Sequence, residues 1–204
     1  MGVRLLARTT VAPLAQMEAR LAALGGRPTG RWRTACTYML PRASDSKLHE
    51  LFDVQPEGGG ERYLVSRGAE GEVRVLRAGA SISAILAATN THTARIKVLL
   101  DGGVHGCGDF VVRLGQFFHN GTLAGVCIEV EYLPCALATA AAAAPLQALL
   151  DRLLPEAERD YCSAQSECFA DAHDLPALVG PEHSALLLVG LLRARILSSS
   201  VSTV

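Results

Sequence analysis

The chain has 204 residues, of which 50% are hydrophobic and 19% are charged, and its formal net charge is −1 at pH 7. This hydrophobic fraction is enough to build a sizeable core, which excludes disorder of the whole chain. A net charge near zero provides no basic field, so direct sequence-specific binding of nucleic acid is not expected. Soluble chains are usually about 25% charged, and the deficit predicts apolar surface that a permanent partner would cover.

The cysteines and the apolar runs indicate the setting of the protein. The six cysteines are scattered and form no CxxC pair. A chain of this length does not depend on a disulfide framework, so a reducing compartment is favoured. The most apolar stretch, residues 185–192, is much shorter than the roughly 20 residues that a membrane span requires. No membrane association is therefore expected.

The N-terminal part of the chain predicts a strand, a helix and a second strand. A short strand is expected over residues 3–7. A helix is expected from Pro13 to Leu24, because its apolar residues recur at 3.6-residue spacing and Gly25 then stops it. Apolar and polar residues alternate over residues 30–41, which predicts a half-buried strand.

The next segment predicts three more strands and a short helix. One strand is expected around residues 48–54. Residues 63–66 and 72–77 flank a glycine-containing turn and predict a hairpin. Ser81 is expected to cap a short helix that ends near Asn90.

Three strands are the clearest elements of the sequence. They are expected over residues 94–101, 109–114 and 126–132, where apolar and polar residues alternate. The glycines between the first two strands are expected to form their connecting turn, at positions 102, 103, 106 and 108.

The C-terminal part predicts two helices and a connection. Leucines recur on one face of residues 146–154, which is typical of a helix. Residues 156–180 are rich in acidic side chains, so a solvated connection is expected there. A last helix is expected over residues 181–197, followed by a frayed tail at 198–204.

This order of elements predicts the α+β class. Adjacent strands joined by short turns favour an antiparallel β-sheet, curled into a barrel-like structure, with helices packed on it. Because the sequence shows no second hydrophobic core and no repeat, a single domain over residues 1–204 is expected.

The sequence shows no pattern that is typical of a catalytic centre, a cofactor site or a metal site. Cys162, Cys168, His173 and His183 could in principle bind zinc. Structural zinc sites usually have ligand pairs two to four residues apart, and these residues lack that spacing. We therefore predict no catalytic residue and no cofactor.

Glu129 and Glu131 supply the enzymatic alternative. Their i, i+2 spacing on a strand places both carboxylates on one face, as a metal-dependent phosphohydrolase of the triphosphate-tunnel barrel type requires. Such a tunnel also needs inward basic and acidic side chains, and few residues could contribute: Arg95, Lys97, Asp109 and Arg113. An ordinary solvated sheet face explains the pair more simply.

The last helix is apolar around its whole axis. Leu187, Leu188 and Leu191 belong to this helix, and arginine occurs only at positions 193 and 195. Such a helix needs cover on more than one side. Either it is inserted in the core of this chain or a partner covers part of it.

Three segments resemble a known family. They are residues 1–3 (MGV), 107–115 (CGDFVVRLG) and 125–135 (GVCIEVEYLPC), and the last is the most specific. The segments and the order of elements are similar to those of the Mediator complex subunit 20 family, also called the TRF-proximal protein family.

The resemblance implies a non-enzymatic, architectural subunit of the Mediator head module in the nucleus. It would bind head subunit 18 and, through it, other head-module subunits, and would act indirectly on RNA polymerase II as a transcriptional coregulator. Apolar faces of the two clearest strands and of the last helix are the candidate partner interface: Phe110, Val112, Leu114, Ile128, Val130, Tyr132, Leu187, Leu188 and Leu191.

Overall fold

The computed structural model describes residues 2–42, 49–58, 60–68, 72–136, 140–164, 172–173, 175 and 178–197. In these residues one sheet holds ten strands, in the spatial order β10-β5-β4-β3-β2-β6-β7-β8-β1-β9. The strands are β1 Val3–Thr9, β2 Arg27–Pro41, β3 Glu50–Pro56, β4 Glu61–Arg67, β5 Val73–Gly79, β6 His92–Cys107, β7 Phe110–His119, β8 Thr122–Tyr132, β9 Tyr161–Ala164 and β10 Ala172–His173.

Four α-helices accompany the sheet in the described residues: α1 Leu14–Ala23, α2 Ile82–Thr89, α3 Ala140–Leu153 and α4 Pro181–Leu192. A π-helical turn, Arg193–Leu197, continues α4. None of the described helices combines the length and the hydropathy that a membrane span requires.

The sheet is almost entirely antiparallel and curls around α4. All strand pairs are antiparallel except β10 with β5, which is parallel. Leu6 of β1, Phe52 of β3 and Phe117 of β7 join one core cluster with the leucines of α4, so distant strands face the same helix. Within the described residues β9 and β10 remain the two edges, and the sheet is curled but not closed. The predicted α+β class is confirmed.

Helices α1 and α3 cover the other face of the sheet. Met17 and Leu21 of α1 and Leu146 and Leu150 of α3 form a second buried cluster with Val130 and its neighbours on β7 and β8. The leucine stripe predicted for residues 146–154 is thus the buried face of α3. Helix α2 lies apart on the outer face of β2 to β4, where Ile82 and Leu86 are only partly buried.

Strand β8 is covered on both faces, and all six residues from Val126 to Glu131 are buried. Val126, Ile128 and Val130 pack toward α1 and α3, while Cys127 packs on the α4 side. Glu129 and Glu131 alternate with the first set and share the face of Cys127. The expectation of a solvated face for the two glutamates is therefore wrong, because α4 fills the concave side of the sheet.

The predicted glycine turn is correct at Gly108 and wrong at the other three glycines. Gly102, Gly103 and Gly106 lie within β6, and the chain turns only at Gly108, which has a φ of 57°. Gly102 pairs with Gly115 of β7. A Cβ atom on Gly102 would lie 2.1 Å from the carbonyl oxygen of Leu114. These glycines therefore allow close backbone approach in a strand, a second common use of glycine.

The acidic segment 156–180 differs from its prediction as well. Tyr161–Ala164 forms the edge strand β9, which pairs with β1 from Leu5 to Arg8. Arg8 forms an ion pair of 3.3 Å with Asp160, immediately before β9. Glu158 likewise pairs with Arg20 of α1 over 2.8 Å, so the segment is not wholly solvated. The predicted tail at 198–204 lies outside the described residues, and the single domain over 1–204 remains a prediction.

Candidate functional site: a buried ion network beside a cavity

Four charged side chains meet on the concave face of three neighbouring strands. Arg4 lies on β1, Arg113 on β7, and Glu129 and Glu131 on β8 between them. In the strand register Arg4 is opposite Glu131, and Arg113 is opposite Glu129. Residues directly opposite in antiparallel strands share a face, so the register brings the four side chains together.

The arginines and glutamates form a closed network. Nη1 of Arg113 lies 2.7 Å from Oε1 of Glu129 and 2.9 Å from Oε2 of Glu131. Arg4 approaches the same two carboxylates, with Nη2 at 3.4 Å from Oε2 of Glu131 and Nη1 at 3.8 Å from Oε1 of Glu129. The backbone N–H of Gly2 donates to Oε1 of Glu131 over 2.8 Å.

The network is anchored on α4 and excluded from solvent. Nη1 of Arg4 donates to Oγ of Ser184 in the first turns of α4. Only 4% of Glu129 and 2% of Glu131 are exposed. Two positive and two negative charges balance in this space. Without this balance each buried charge would cost several kcal/mol.

The electrostatic surroundings favour the charged forms of Glu131 and Arg113. Burial works to raise the pKa of Glu131, but the charge of Arg4, the N–H of Gly2 and the guanidinium of Arg113 outweigh it and lower that pKa. Burial works to lower the pKa of Arg113, and the carboxylates of Glu129 and Glu131 outweigh it and raise that pKa. Each of these two groups therefore stabilises the charge of the other.

A cavity of about 360 Å³ adjoins the network, between α4 and the strands β1, β2, β6 and β7. The four charged side chains of the network and Ser184 are among the residues that line it. The other lining residues are Leu6, Arg31, Trp32, Arg33, Thr34, Val54, Pro56, Glu57, Leu100, Val104, Pro181, Ala185 and Leu188.

The two glutamates do not fit a divalent metal centre. Magnesium and manganese prefer several oxygen ligands with open positions for water. Here the guanidinium groups of Arg4 and Arg113 contact Oε1 of Glu129 and Oε2 of Glu131, and the N–H of Gly2 donates to Oε1 of Glu131. In the part of the chain that the structure describes, no three potential ligands are grouped for a metal.

The structure describes the side chains of two of the four residues considered for zinc. Cys162 is exposed on β9. His183 is buried in the first turn of α4, where its Nδ1 accepts a hydrogen bond of 2.9 Å from the backbone N–H of Gly180. Cys168 and the side chain of His173 lie outside the described residues.

Seven of the nine predicted interface residues are enclosed within this chain. Those on β7 and β8 pack beneath α1 and α3, and those on α4 pack against the concave face of the sheet. They are Val112, Leu114, Ile128, Val130, Leu187, Leu188 and Leu191, each at most 3% exposed. The expectation that a partner contacts them is corrected, because their own helices and strands already cover them. Phe110 and Tyr132 are only partly buried, and their ring centroids lie 5.1 Å apart.

The structure exposes a different apolar surface, on α2 and β5. No residue of α2 is buried, and 52% of Ile85 is exposed. Leu76 of β5 is 59% exposed and pairs with Leu64, whose side chain belongs to the small cluster under α2. We call Leu76, Ile82, Ile85 and Leu86 the α2 surface. Residues 78–94 contain no Asp, Glu, Lys or Arg, and this gap in charge is the sequence signal that could have identified it.

Arg4 is the network residue that sequence reasoning missed. Arg4 and Arg8 both lie on β1 and are both buried, Arg8 with Asp160 and above the ring of Phe117. Two arginines at i, i+4 within an apolar strand place both charges on one face. That pattern indicates acidic partners on an adjacent strand, and β8 supplies two of them.

Comparison with known families agrees with this architecture. A family model described as the TATA-binding related factor (TRF) of subunit 20 of the Mediator complex matches residues 5–176. The chain belongs to the Mediator subunit 20 family. Mediator of RNA polymerase II transcription subunit 20b from Arabidopsis thaliana is 27% identical over 129 residues, which are 59% of this chain and 58% of the relative. The resemblance predicted from the sequence is confirmed.

Solved structures share the fold. The PH1012 protein of Pyrococcus horikoshii has a TM-score of 0.50 and 12% identity, covering 78% of this chain and 94% of that one. A conserved hypothetical protein from Pyrococcus furiosus has a TM-score of 0.50 and 11% identity, covering 78% and 95%. At these identities the likeness concerns the fold alone.

Proposed function

We propose that this Mediator subunit is a non-enzymatic, architectural protein of the head module, which binds head subunit 18 in the nucleus. Through that subunit it contacts other head-module subunits and supports regulation of RNA polymerase II as a coregulator. The observation that carries the proposal is the α2 surface, an exposed and uncharged apolar patch on a chain of the Mediator subunit 20 family.

The chemistry of the α2 surface suits a permanent protein contact. Obligate interfaces resemble a core cut in half, with charged residues depleted at their centre. Ile85 and Leu76 offer large apolar side chains, and the nearest charged residues in sequence are Arg77 and Arg95 at the two ends of the segment. Contiguous apolar patches of this kind mark interaction sites in soluble proteins.

The ion network supports a structural role for Glu129 and Glu131. Each carboxylate is compensated by Arg113 and Arg4, which compete with a metal for it. Among the described residues no further acid or histidine joins the pair as the phosphohydrolase alternative requires. The network instead ties β1, β7 and β8 to α4 at the centre of the fold.

A single charge at the α2 surface tests the proposed contact. Ile85→Asp should reduce binding of Mediator subunit 18 by at least tenfold, because a carboxylate would be desolvated without a counter-ion in an apolar contact. Since Ile85 is exposed, the melting temperature should stay within about 2 °C of wild type. Affinity is measured by calorimetry on the purified proteins.

Two control variants make the result interpretable. Leu123→Asp changes an equally exposed leucine, 54% accessible at the end of β8, and should leave affinity unchanged. Leu188→Asp places a carboxylate in the core and should unfold the protein. Wild-type affinity of Ile85→Asp would exclude the α2 surface as the binding site.

A further inference from the structure

The cavity beside the ion network has the size and lining of a small-molecule site. Its volume of about 360 Å³ lies within the range of ligand pockets. Several of the apolar side chains that line it are themselves buried, among them Leu6, Trp32, Leu100 and Leu188. An apolar enclosure with a few convergent polar groups is the general pattern of a binding pocket.

The charges that face this cavity balance one another. Arg4 and Arg113 compensate Glu129 and Glu131 within the network, which leaves no net charge on the concave face of the three strands. A charged ligand would lose its hydration here without gaining a counter-ion. The balanced lining therefore favours a neutral ligand.

The arginines of β2 do not change this balance. Arg31 and Arg33 flank Trp32, which belongs to the concave core, so both side chains lie on the opposite face of the sheet. Glu57, the remaining charged residue of the lining, lies 3.8 Å from Arg31.

A donor and an acceptor lie side by side in the lining. Both ion pairs of Arg113 use Nη1, and no hydrogen bond or ion pair of its Nε or Nη2 occurs within the described residues. The contacts of Glu129 all use Oε1, and its Oε2 has no partner in the described part of the chain, although only 4% of the residue is exposed. Buried polar atoms usually find a hydrogen-bond partner, so these atoms point to a ligand that supplies one.

The strand register places this pair at the cavity. Arg113 and Glu129 are direct partners, with Val104 opposite Arg113 on one side and Leu6 opposite Glu129 on the other. All four residues line the cavity. The cavity thus presents N–H donors and a carboxylate acceptor at one place, with apolar side chains around them.

We infer that this cavity binds a small, neutral organic amide with an apolar body, of about a dozen non-hydrogen atoms in all. The amide oxygen accepts from Arg113, the amide N–H donates to Oε2 of Glu129, and the apolar body packs against Trp32. A carboxamide is complementary to this pair because it presents an acceptor and a donor without a net charge. This site is separate from the α2 surface, so it stands or falls independently of the binding of Mediator subunit 18.

Three probes of nearly the same shape and different charge test this inference. 4-Isopropylbenzamide is neutral, 4-isopropylbenzoate is an anion, and 4-isopropylbenzamidine is a cation at neutral pH. Trp32 is the only tryptophan of the chain, so its emission on excitation at 295 nm reports binding in this cavity. We expect saturable binding of the benzamide with a dissociation constant of about 1 mM or lower, and binding of each charged probe about tenfold weaker.

A change of charge in the lining should shift this preference. Glu129→Gln leaves the network with one excess positive charge, so the affinity for the benzoate relative to the benzamide should rise about tenfold. Glu61→Gln is the matched control, because Glu61 lies on β4 outside the cavity with 41% of its side chain exposed, and it should bind all three probes like wild type. Val104→Phe fills part of the cavity and should abolish binding of all three probes. The melting temperature of each variant confirms that it is folded.

Three results would overturn the inference. Binding of either charged probe to the wild-type protein as tightly as the benzamide would show that the lining does not select a neutral ligand. An unchanged Trp32 emission at about 5 mM benzamide would show that the cavity does not admit the probe. A folded Glu129→Gln variant with the selectivity of wild type would show that Oε2 of Glu129 is not the acceptor. The comparison of the three probes on the wild-type protein is sufficient for this decision even where a variant fails to fold.

Discussion

Arg113 of β7 donates through one nitrogen, Nη1, to Oε1 of Glu129 on β8 over 2.7 Å. The two residues are direct partners in the strand register, so the ladder of hydrogen bonds fixes the distance between their backbones. The same nitrogen also lies 2.9 Å from Glu131. One guanidinium therefore neutralises much of the charge of two buried carboxylates at the centre of the sheet.

Removing this guanidinium should destabilise the fold strongly. Arg113→Met roughly preserves the length of the side chain but leaves Glu129 and Glu131, among the described residues, with Arg4 as their remaining cation. Breaking a buried ion pair from one side costs about 3–5 kcal/mol, and we expect the lower end because Arg113 is partly exposed. Urea denaturation gives the change in the free energy of unfolding. Arg77→Met on exposed β5 is the control, and a loss as small as that of the control would contradict a structural role for the network.

Acid should weaken the network through Glu131. Its pKa in the folded protein lies below the ordinary value of 4.5, so the unfolded state binds this proton first as the pH falls. The stabilisation is complete above about pH 4.5 and is lost as the pH falls further, through the pKa of the folded state. Glu131→Gln should be less stable than wild type at pH 7, but its stability should fall less steeply between pH 4.5 and pH 3.

Urea midpoints at a series of pH values for wild type and Glu131→Gln check this prediction. Other carboxylates titrate in both proteins, so the difference between the two curves reports Glu131. Parallel curves over the whole acid range would mean that the folded protein does not hold the Glu131 carboxylate in its charged form.

The close approach of β6 and β7 at Gly102 should not tolerate a side chain. Gly102→Ala places a Cβ atom 2.1 Å from the carbonyl oxygen of Leu114 and 2.4 Å from Cα of Gly115, so backbone must move. We expect a loss of about 2–3 kcal/mol in the free energy of unfolding, as for overpacked cores. Gly30→Ala on β2 is the matched control, because its Cβ atom meets nothing within 4 Å. Equal stability of the two variants would refute a packing role for Gly102.

The sequence predicts the strands in which apolar and polar residues alternate regularly. Prediction fails where a strand is buried on both faces or where two backbones pack closely, because the residue pattern there resembles that of another structure. On β8 the alternation of valine and isoleucine with Glu129 and Glu131 is typical of a half-exposed strand. The local pattern of β8 does not show whether α4 covers the polar side of the strand, because that contact forms only through tertiary packing. For the same reason the arginine partners on β1 and β7 are not predictable from β8 alone.

The turn predicted at the glycines of β6 and the solvated connection predicted near β9 differ from the structure for related reasons. A cluster of glycines usually indicates a turn, but Gly102 and Gly115 face each other across two strands, which requires the register. The acidic residues before β9 suggest a solvated segment, yet Asp160 lies beside Arg8, which is far away in sequence.

Only Phe110 and Tyr132 of the predicted interface are partly exposed, because the strongest apolar patterns marked the core itself.

The compensated glutamates should not support metal-dependent hydrolysis. Purified protein incubated with inorganic triphosphate and manganese should release no phosphate above the rate of a Glu129→Gln, Glu131→Gln double variant. The reason is that Arg113 and Arg4 already bind one oxygen of each carboxylate and neutralise the charge that would attract manganese. Manganese-dependent release by wild type that the double variant lacks would establish the phosphohydrolase alternative.

The most direct test of the central claim is co-expression with Mediator subunit 18 of the same organism, followed by size-exclusion chromatography with in-line light scattering. The architectural function predicts a 1:1 complex that persists on dilution, with poorer solubility of this chain when it is expressed alone. A well-behaved monomer that elutes separately from subunit 18 at micromolar concentrations would contradict it.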